Sequence, residues 1–291
     1  MNLRDRLVGR IEPSELKLLY KSFDIIGDIA VLKIPEALED RGKLIADAVM
    51  QINKSVRVVL CQVSPVSGEL RLRELNWLLG EKRTETIHRE HGCLFKVDLA
   101  KCYFSPRLSY ERMRVAKQVK SGEIIVNMFA GVGCFSIIIA KHSKAEKVYS
   151  IDINPNAVQY MQLNTVLNKV ENVVEPIKGD SKEVIESRLR GVADRVLMPL
   201  PEKAYEYLDY AVMALKTAGG VIHYYDFEHA KKDEEPIIKV IKKISWKLSD
   251  LNVKFSIPFA RIVRTVGPRW YQIVLDILIT GKPENTRLRE D

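Results

Sequence analysis

At 291 residues, with 46% hydrophobic and 29% charged residues, the chain is long enough for one large domain plus a smaller one and too apolar for general disorder. No stretch approaches the roughly 18 uncharged apolar residues of a membrane helix, and the start, Met1 to Arg10, has no apolar h-region, so a cytoplasmic address is expected. The formal net charge of +8 suits a polyanionic partner and equally a solubility charge spread over the surface, while Cys61, Cys93, Cys102 and Cys134 form no C-x-x-C pair and sit near no histidine cluster.

In chain order, Phe23 to Ile34 reads as two β-rich runs around a Gly27-Asp28 turn, and Leu38 to Lys54 carries helical spacing at Leu38, Ile45, Val49 and Ile52. A strand over Val56 to Val63, a Ser67-Gly68 turn and a hairpin centred on His91-Gly92 complete a small α+β domain over residues 1–104. From Pro106 the pattern alternates: helix 106–120, strand 124–128, helix 135–142, strand 147–151, helix 155–168, strand 173–178, helix 181–190, strand 194–198. It continues with helix 203–216, strand 220–225, helix 235–249 and strands 254–264 and 271–279. Such alternation predicts a doubly wound α/β domain over 105–281 with an antiparallel edge, followed by a polar tail from Lys282 to Asp291.

In an open α/β sheet ligands bind at the carboxyl ends of strands near the switch point. The loop after the first strand of the large domain reads Asn127-Met-Phe-Ala-Gly-Val-Gly-Cys-Phe-Ser136, where Gly131 and Gly133 give a G-x-G turn and Ser136 replaces the third glycine of the dinucleotide fingerprint. That weakens a nicotinamide-dependent oxidoreductase and leaves an ordinary strand-to-helix turn as the bland alternative. The second strand ends Ile151-Asp152-Ile153-Asn154-Pro155; Asp152 can accept both hydroxyls of a ribose, or act as a helix cap, a role Asn154 is closer to. The third ends Lys178-Gly179-Asp180-Ser181, with Asp180 placed to receive an adenine amino group. Together the three strand tips resemble the cofactor site of class I S-adenosylmethionine-dependent methyltransferases, which implies a Rossmann-like, seven-stranded sheet.

The fourth strand reads Asp194-Arg-Val-Leu-Met-Pro-Leu-Pro201, where amino-group methyltransferases commonly carry Asn/Asp-Pro-Pro-aromatic; Pro199 stands in the acceptor's place. Arg107 and Glu111 are four apart on the helix that Pro106 opens, so they share a face, either as an exposed ion pair or pointing into a site.

The runs Tyr20 to Ala30, Thr86 to Cys93, Tyr103-Phe-Ser-Pro-Arg-Leu108, Met128 to Gly133, His223-Tyr-Tyr225 and Val263-Arg-Thr-Val-Gly-Pro268 together resemble archaeal tRNA (guanosine-37-N1) methyltransferases over about residues 18–280. The resemblance implies methyl transfer from S-adenosylmethionine to N1 of guanosine 37 in the anticodon loop of tRNA; the sequence shows no cluster of metal ligands and no sign of an obligate protein partner. Guanine N1 carries a proton at neutral pH, so a base must remove it; the resemblance assigns Glu111 as that base and Arg107 as the stabiliser of charge on O6. It implies cofactor binding by Arg112, Phe129, Gly131, Gly133, Asp152, Ile153, Asn154, Gly179, Asp180, Ser181 and Met198. Substrate contacts would come from Pro199, Pro201, Tyr110, His223, Arg261 and Arg264; His223, Tyr225 and Tyr110 could stack on a flipped base, although an aromatic at a strand tip is as often simply core. Apart from the resemblance, Arg71, Arg73, Arg89 and Arg269 join Arg261 and Arg264 as candidate phosphate contacts, each of which reads singly as a solvated surface charge and which together with the net charge suggest a basic face.

Two departures are visible. Pro199-Leu-Pro201 replaces the family's Asn-Leu-Pro, as in the subgroup that also methylates 4-demethylwyosine at carbon 7 to give isowyosine. The family's pattern begins near residue 18, so the additional N-terminal domain that reads the tRNA elbow is expected to be missing. Competing functions are aminocarboxypropyl transfer in the wyosine pathway, against which Glu111 argues, and noncatalytic RNA binding, against which Gly131, Gly133, Asp152 and Asp180 argue.

Overall fold

A computed structural model describes residues 3–20 and 22–282, so the expected polar tail beyond Lys282 lies outside the described residues. The chain divides into two compact units, Met1–Ser109 and Tyr110–Asp291. Among the described residues no helix is long and apolar enough to cross a membrane.

In the first unit, two short helices, α1 (Leu3–Leu7) and α2 (Pro13–Leu18), precede a four-stranded sheet in the order β1-β2-β3-β4. Its strands are β1 (Asp24–Ile26), β2 (Ile29–Leu32), β3 (Val58–Gln62) and β4 (Leu75–Gly80). The Gly27-Asp28 turn makes β1 and β2 an antiparallel hairpin, while β3 runs parallel to β2 and is reached through α3 (Gly42–Ile52). A 3-10 turn over Glu36–Arg41 precedes α3, and Ile45, Ala46, Ala48 and Val49 form the helix's buried face. A separate hairpin joins β5 (Glu85–Glu90) to β6 (Cys93–Asp98) through His91-Gly92. The sequence pattern misses α1, α2 and β4. The helices are too short to display a period, and β4 is an edge strand whose exposure does not alternate.

The second unit is the expected doubly wound fold. After α4 (Ser109–Ala116) come β7 (Ile124–Asn127), α5 (Cys134–His142), β8 (Lys147–Asp152), α6 (Pro155–Leu167), β9 (Val174–Lys178) and α7 (Ser181–Val184), which continues as a π-turn over Ile185–Leu189. Then follow β10 (Arg195–Met198), α8 (Pro201–Ala204), α9 (Leu208–Ala214), β11 (Gly220–His229), α10 (Pro236–Asp250), β12 (Lys254–Gly267) and β13 (Trp270–Gly281). The sheet order is β12-β13-β11-β10-β7-β8-β9, parallel from β11 to β9, with β13 antiparallel to β11 and β12 antiparallel to β13. Both β8 and β10 pair with β7, so the carboxyl end of β7 is the switch point at which such sheets take ligands.

Val126, Ile151, Val196, Ile222 and Leu275 are fully buried between the sheet and its helices. Each such side chain contributes roughly 1.5–3 kcal/mol by leaving water. The loop ends are set locally: Asn154 Oδ1 accepts the Asn156 N–H at 3.0 Å ahead of Pro155, and Asp180 Oδ1 accepts the Lys182 N–H at 2.7 Å. The helix expected over 106–120 is instead a 3-10 turn, Pro106–Leu108, followed by α4, and the one expected over 203–216 is broken into α8 and α9.

Candidate functional site

At the switch point the β7–α5 loop turns through two left-handed glycines, Gly131 at φ +57° and Gly133 at φ +90°. They serve different ends. A Cβ on Gly133 would stand 2.9 Å from Met161 Cγ and 3.0 Å from Ile137 Cδ1, so its bareness lets the helices close. A Cβ on Gly131 would meet nothing within 4 Å, so its bareness leaves open space before the turn. Asp152, at the tip of β8, accepts the Gly131 N–H at 2.6 Å through Oδ2 and the Asn154 N–H at 2.9 Å through Oδ1. Burial raises its carboxyl above the ordinary range, against the pull of those two N–H groups. Each oxygen keeps a lone pair for a further donor, as a vicinal diol requires. Beside it Ile153 is exposed and apolar, Asp180 Oδ2 accepts from Tyr207 at 2.8 Å, and Phe129 meets the Tyr207 ring edge-on at 5.2 Å. An acceptor pair, an open glycine turn and apolar surface suit a nucleoside, and so fit S-adenosylmethionine.

Other residues expected at this site mainly secure the loops. Asn154 is buried as the cap of α6, Ser181 Oγ donates to the Met128 carbonyl, and Gly179 has no room for a Cβ, which would come 2.9 Å from Val184. Met198 is a correction: its side chain is fully buried in the main core, so only its backbone can face a ligand. Pro199 is half-buried, and Pro201 is buried at the start of α8.

A second cluster surrounds Glu111, which is only 1% exposed. Its Oε2 accepts from Tyr225 Oη at 3.1 Å and from Arg114 Nε at 3.0 Å. Arg114 also clamps Asp276 with two hydrogen bonds, at 2.6 and 3.0 Å. Asp276 Oδ1 lies 2.6 Å from His223 Nδ1, and His223 Nε2 lies 2.7 Å from Arg195 Nη1. Arg195 in turn bonds Glu123 at 2.8 and 3.1 Å. Burial lowers the basicity of His223 against the pull of Asp276, and the neighbouring guanidinium groups of Arg195 and Arg114 add to the lowering. The ring is therefore neutral, donating from Nδ1 to Asp276 and accepting at Nε2 from Arg195. Burial also works to raise Asp276, but hydrogen bonds from His223 and Arg114 outweigh it and hold that carboxyl far below the usual range. Tyr225, buried beside Glu111, is pushed well above the usual phenol range and stays a donor.

This geometry corrects the expected stacking residues. His223 and Tyr225 are on β11, an interior strand, with 0% and 1% of their surface exposed, and their polar atoms are committed to Asp276, Arg195 and Glu111. Neither can stack on a base. Tyr110 is 63% exposed and carries the Arg261 guanidinium 4.6 Å from its ring centre. Arg264 bonds Gln272 at 2.7 Å across the β12–β13 ribbon. Phe135, at the start of α5 just after the glycine turn, meets the Glu111 side: Arg112 sits 6.0 Å from its ring and the Tyr225 ring 6.1 Å away.

Arg107 is also corrected. It lies on the 3-10 turn in the first unit, half exposed, and its Nε bonds Asp24 Oδ1 at 2.7 Å, so the shared α-helical face expected with Glu111 does not form. Of the other arginines there, Arg89 is exposed and Arg73 bonds Gln62 at 3.3 Å, while Arg71 holds a left-handed φ of +53° and stacks 4.3 Å over Tyr103. Sequence reasoning overlooked Arg114, Arg195 and Asp276. The signal for Asp276 was present, a single acid within the apolar run Ile273 to Ile279.

Residues 86–254 match the TRM5/TYW2 methyltransferase domain and residues 3–84 the TYW2 N-terminal domain. Over 92% of its length the chain is 46% identical to tRNA (guanine(37)-N(1))-methyltransferase Trm5b of Pyrococcus abyssi, covering 78% of that protein. Over 89% of its length it is 39% identical to tRNA 4-demethylwyosine(37)-methyltransferase Taw21 of Saccharolobus solfataricus, covering 94% of it. The crystal structure of Pyrococcus abyssi Trm5b superposes with a TM-score of 0.83 at 44% identity, over 93% of this chain and 78% of that one. The chain belongs to the TRM5/TYW2 methyltransferase family.

Proposed function

We propose that the chain transfers a methyl group from S-adenosylmethionine to N1 of guanosine 37 in tRNA, with Glu111 as the base. The observation that carries this reading is Phe135, which follows the glycine turn beside Asp152 closely in the chain and meets the Tyr225 ring of the Glu111 cluster. Asp152 would hold the ribose hydroxyls, Asp180 the adenine amino group, and Phe129 and Ile153 the flanking apolar surface. When bound, S-adenosylmethionine supplies a methyl group already activated on a sulfonium.

The chain's own work is positioning and proton removal. Tyr225 and Arg114 fix Glu111 Oε2, which directs Oε1 to the incoming base. Exposed Arg89 and Arg269 and half-buried Arg264 supply cations for tRNA phosphates. Glu111→Gln is expected to lower turnover by about 10²–10⁴-fold while sparing cofactor affinity.

The test is incubation with S-adenosylmethionine and an unmodified tRNA transcript carrying guanosine at position 37, followed by digestion and nucleoside mass spectrometry. N1-methylguanosine is the expected product; unchanged guanosine despite bound cofactor overturns the reading.

Pro199, in place of the family's asparagine, favours a second activity, methylation of 4-demethylwyosine at carbon 7, as does the similarity to Taw21 over 94% of that protein. The same assay on precursor-bearing tRNA tests it, and an aminocarboxypropyl adduct there would transfer the reading to that chemistry.

A further inference from the structure

Glu111 presents two unlike oxygens. Oε2 is tied down by two hydrogen bonds, whereas Oε1 is buried and accepts none among the described residues. The group facing Oε1 is Arg261, whose Nη2 stands 3.2 Å away at ion-pair distance without hydrogen-bond geometry. The two arginines that meet Glu111 are held very differently. Arg114 makes three side-chain hydrogen bonds and lies under Phe259 at 4.6 Å, with 10% of its side chain exposed. Arg261 is 30% exposed, its buried Nε bonds nothing among the described residues, and its guanidinium rests on the exposed ring of Tyr110. Arg261 also comes from β12, the outermost strand of the sheet. There the segment Phe259 to Ile262 lies between two shifts of register against β13. Moving Arg261 therefore breaks one ion pair and a ring contact, while moving Arg114 would dismantle the cluster.

We propose that Arg261 is the mobile counter-ion of the base: it covers Glu111 Oε1 before the substrate enters and passes to O6 of the guanine as Glu111 takes the N1 proton. This rests on the reading of Glu111 as base. In that step the N1–H bond breaks, the proton forms an O–H bond at Oε1, and the electron pair stays on the ring, spread from N1 to O6. The negative charge thus leaves the carboxylate and appears on the base. O6 is bonded to the carbon next to N1, so a cation that faces Oε1 needs only a short displacement to follow the charge. Arg114 stays on Oε2 throughout, so it cannot follow the charge; an arginine fixed likewise at Oε1 would only stabilise the carboxylate further, whereas one resting on an exposed ring can serve both ends.

The test compares Arg261→Ala, Arg261→Lys and Glu111→Gln by steady-state and single-turnover kinetics on a guanosine-37 transcript, with cofactor affinity and thermal unfolding measured in parallel. For Arg261→Ala we expect kcat to fall about 10²-fold with KM for tRNA changed less than about threefold. Cofactor affinity and unfolding should match the parent, Arg261→Lys should recover part of the rate, and low-millimolar guanidinium should restore part of the Ala variant's activity. A phosphate contact predicts the reverse: raised KM, unchanged kcat, a shallower dependence on salt and no guanidinium rescue, and that pattern overturns the proposal. Glu111→Gln separates the two levels. If it is inactive while Arg261→Ala alters only KM, the base reading stands and the counter-ion falls; if it keeps full activity, both fall.

Discussion

Asp276 offers a direct measure of how much the cluster beneath Glu111 contributes. Its carboxylate is 6% exposed and is paired with Arg114, itself 10% exposed, and with His223. Asp276→Asn keeps the volume but removes the charge. It also turns one acceptor into a donor, so that an NH₂ faces either the His223 N–H or the Arg114 guanidinium. Stripping one member from a buried pair costs about 3–5 kcal/mol, and because the asparagine oxygen still accepts one hydrogen bond the lower end, about 3 kcal/mol, is expected. For a unit of this size about 2–4 °C accompanies each kcal/mol, so thermal unfolding should fall by about 6–12 °C near neutral pH. Repeating the change in an Arg114→Met background should cost at least about 1 kcal/mol less, since the pair is then already broken. An Asn variant that unfolds within about 2 °C of the parent, or an unchanged cost in the Met background, would refute the view that this pair carries stability.

Four further outcomes are expected. Asp152→Ala should weaken S-adenosylmethionine affinity by titration calorimetry with little change in unfolding temperature, and unchanged affinity would remove Asp152 from the ribose site. Gly133→Ala should destabilise by about 1–3 kcal/mol through overpacking against Met161 and Ile137. Gly131→Ala should cost only about 1 kcal/mol of backbone strain while weakening cofactor binding more than Gly133→Ala does. His223 keeps its neutral form in the fold, so below its ordinary value of about 6.5 the unfolded chain binds a proton the folded one refuses, and stability falls as pH drops through that range. His223→Gln should flatten this slope in thermal unfolding between about pH 7 and 5.5; an identical slope in parent and variant would assign it to another group.

The cofactor loops were legible because each is a local pattern: two glycines two apart, an acid at a strand tip, an Asn-Pro helix start. The Glu111 cluster was only half legible. Glu111 follows from resemblance, but its partners come from positions 114, 225, 261 and 276, which no spacing rule connects. The alternation of β11 puts His223 and Tyr225 on one face, yet it does not say whether that face looks into a pocket or onto α4; here Tyr225 reaches Glu111 of α4. The pairing of Arg107 with Glu111 failed for a different reason. Four residues make neighbours only within an α-helix, and Pro106 opens a 3-10 turn that ends before α4 begins.

The charges of the cluster give its arrangement a chemical sense. Arg114, Arg195 and Arg261 are joined through close contacts to Glu111, Asp276 and Glu123, with neutral His223 between Asp276 and Arg195. With Glu111 ionised the cations and anions balance, which is what burial at this depth demands. Once Glu111 is protonated, one positive charge is left without its partner. Arg195 and Arg114 cannot supply that charge to a ligand, because each is held by hydrogen bonds to a carboxylate that remains ionised. The surplus therefore falls on Arg261, the member at the exposed edge. Removing one member of the cluster is costly, but replacing a whole buried ion pair with well-packed apolar side chains is often neutral, so stability alone does not require the charges. With Glu111 as the proposed base, a proton taken up at its carboxylate would break this balance and leave the unpaired cation beside the anion formed on the guanine.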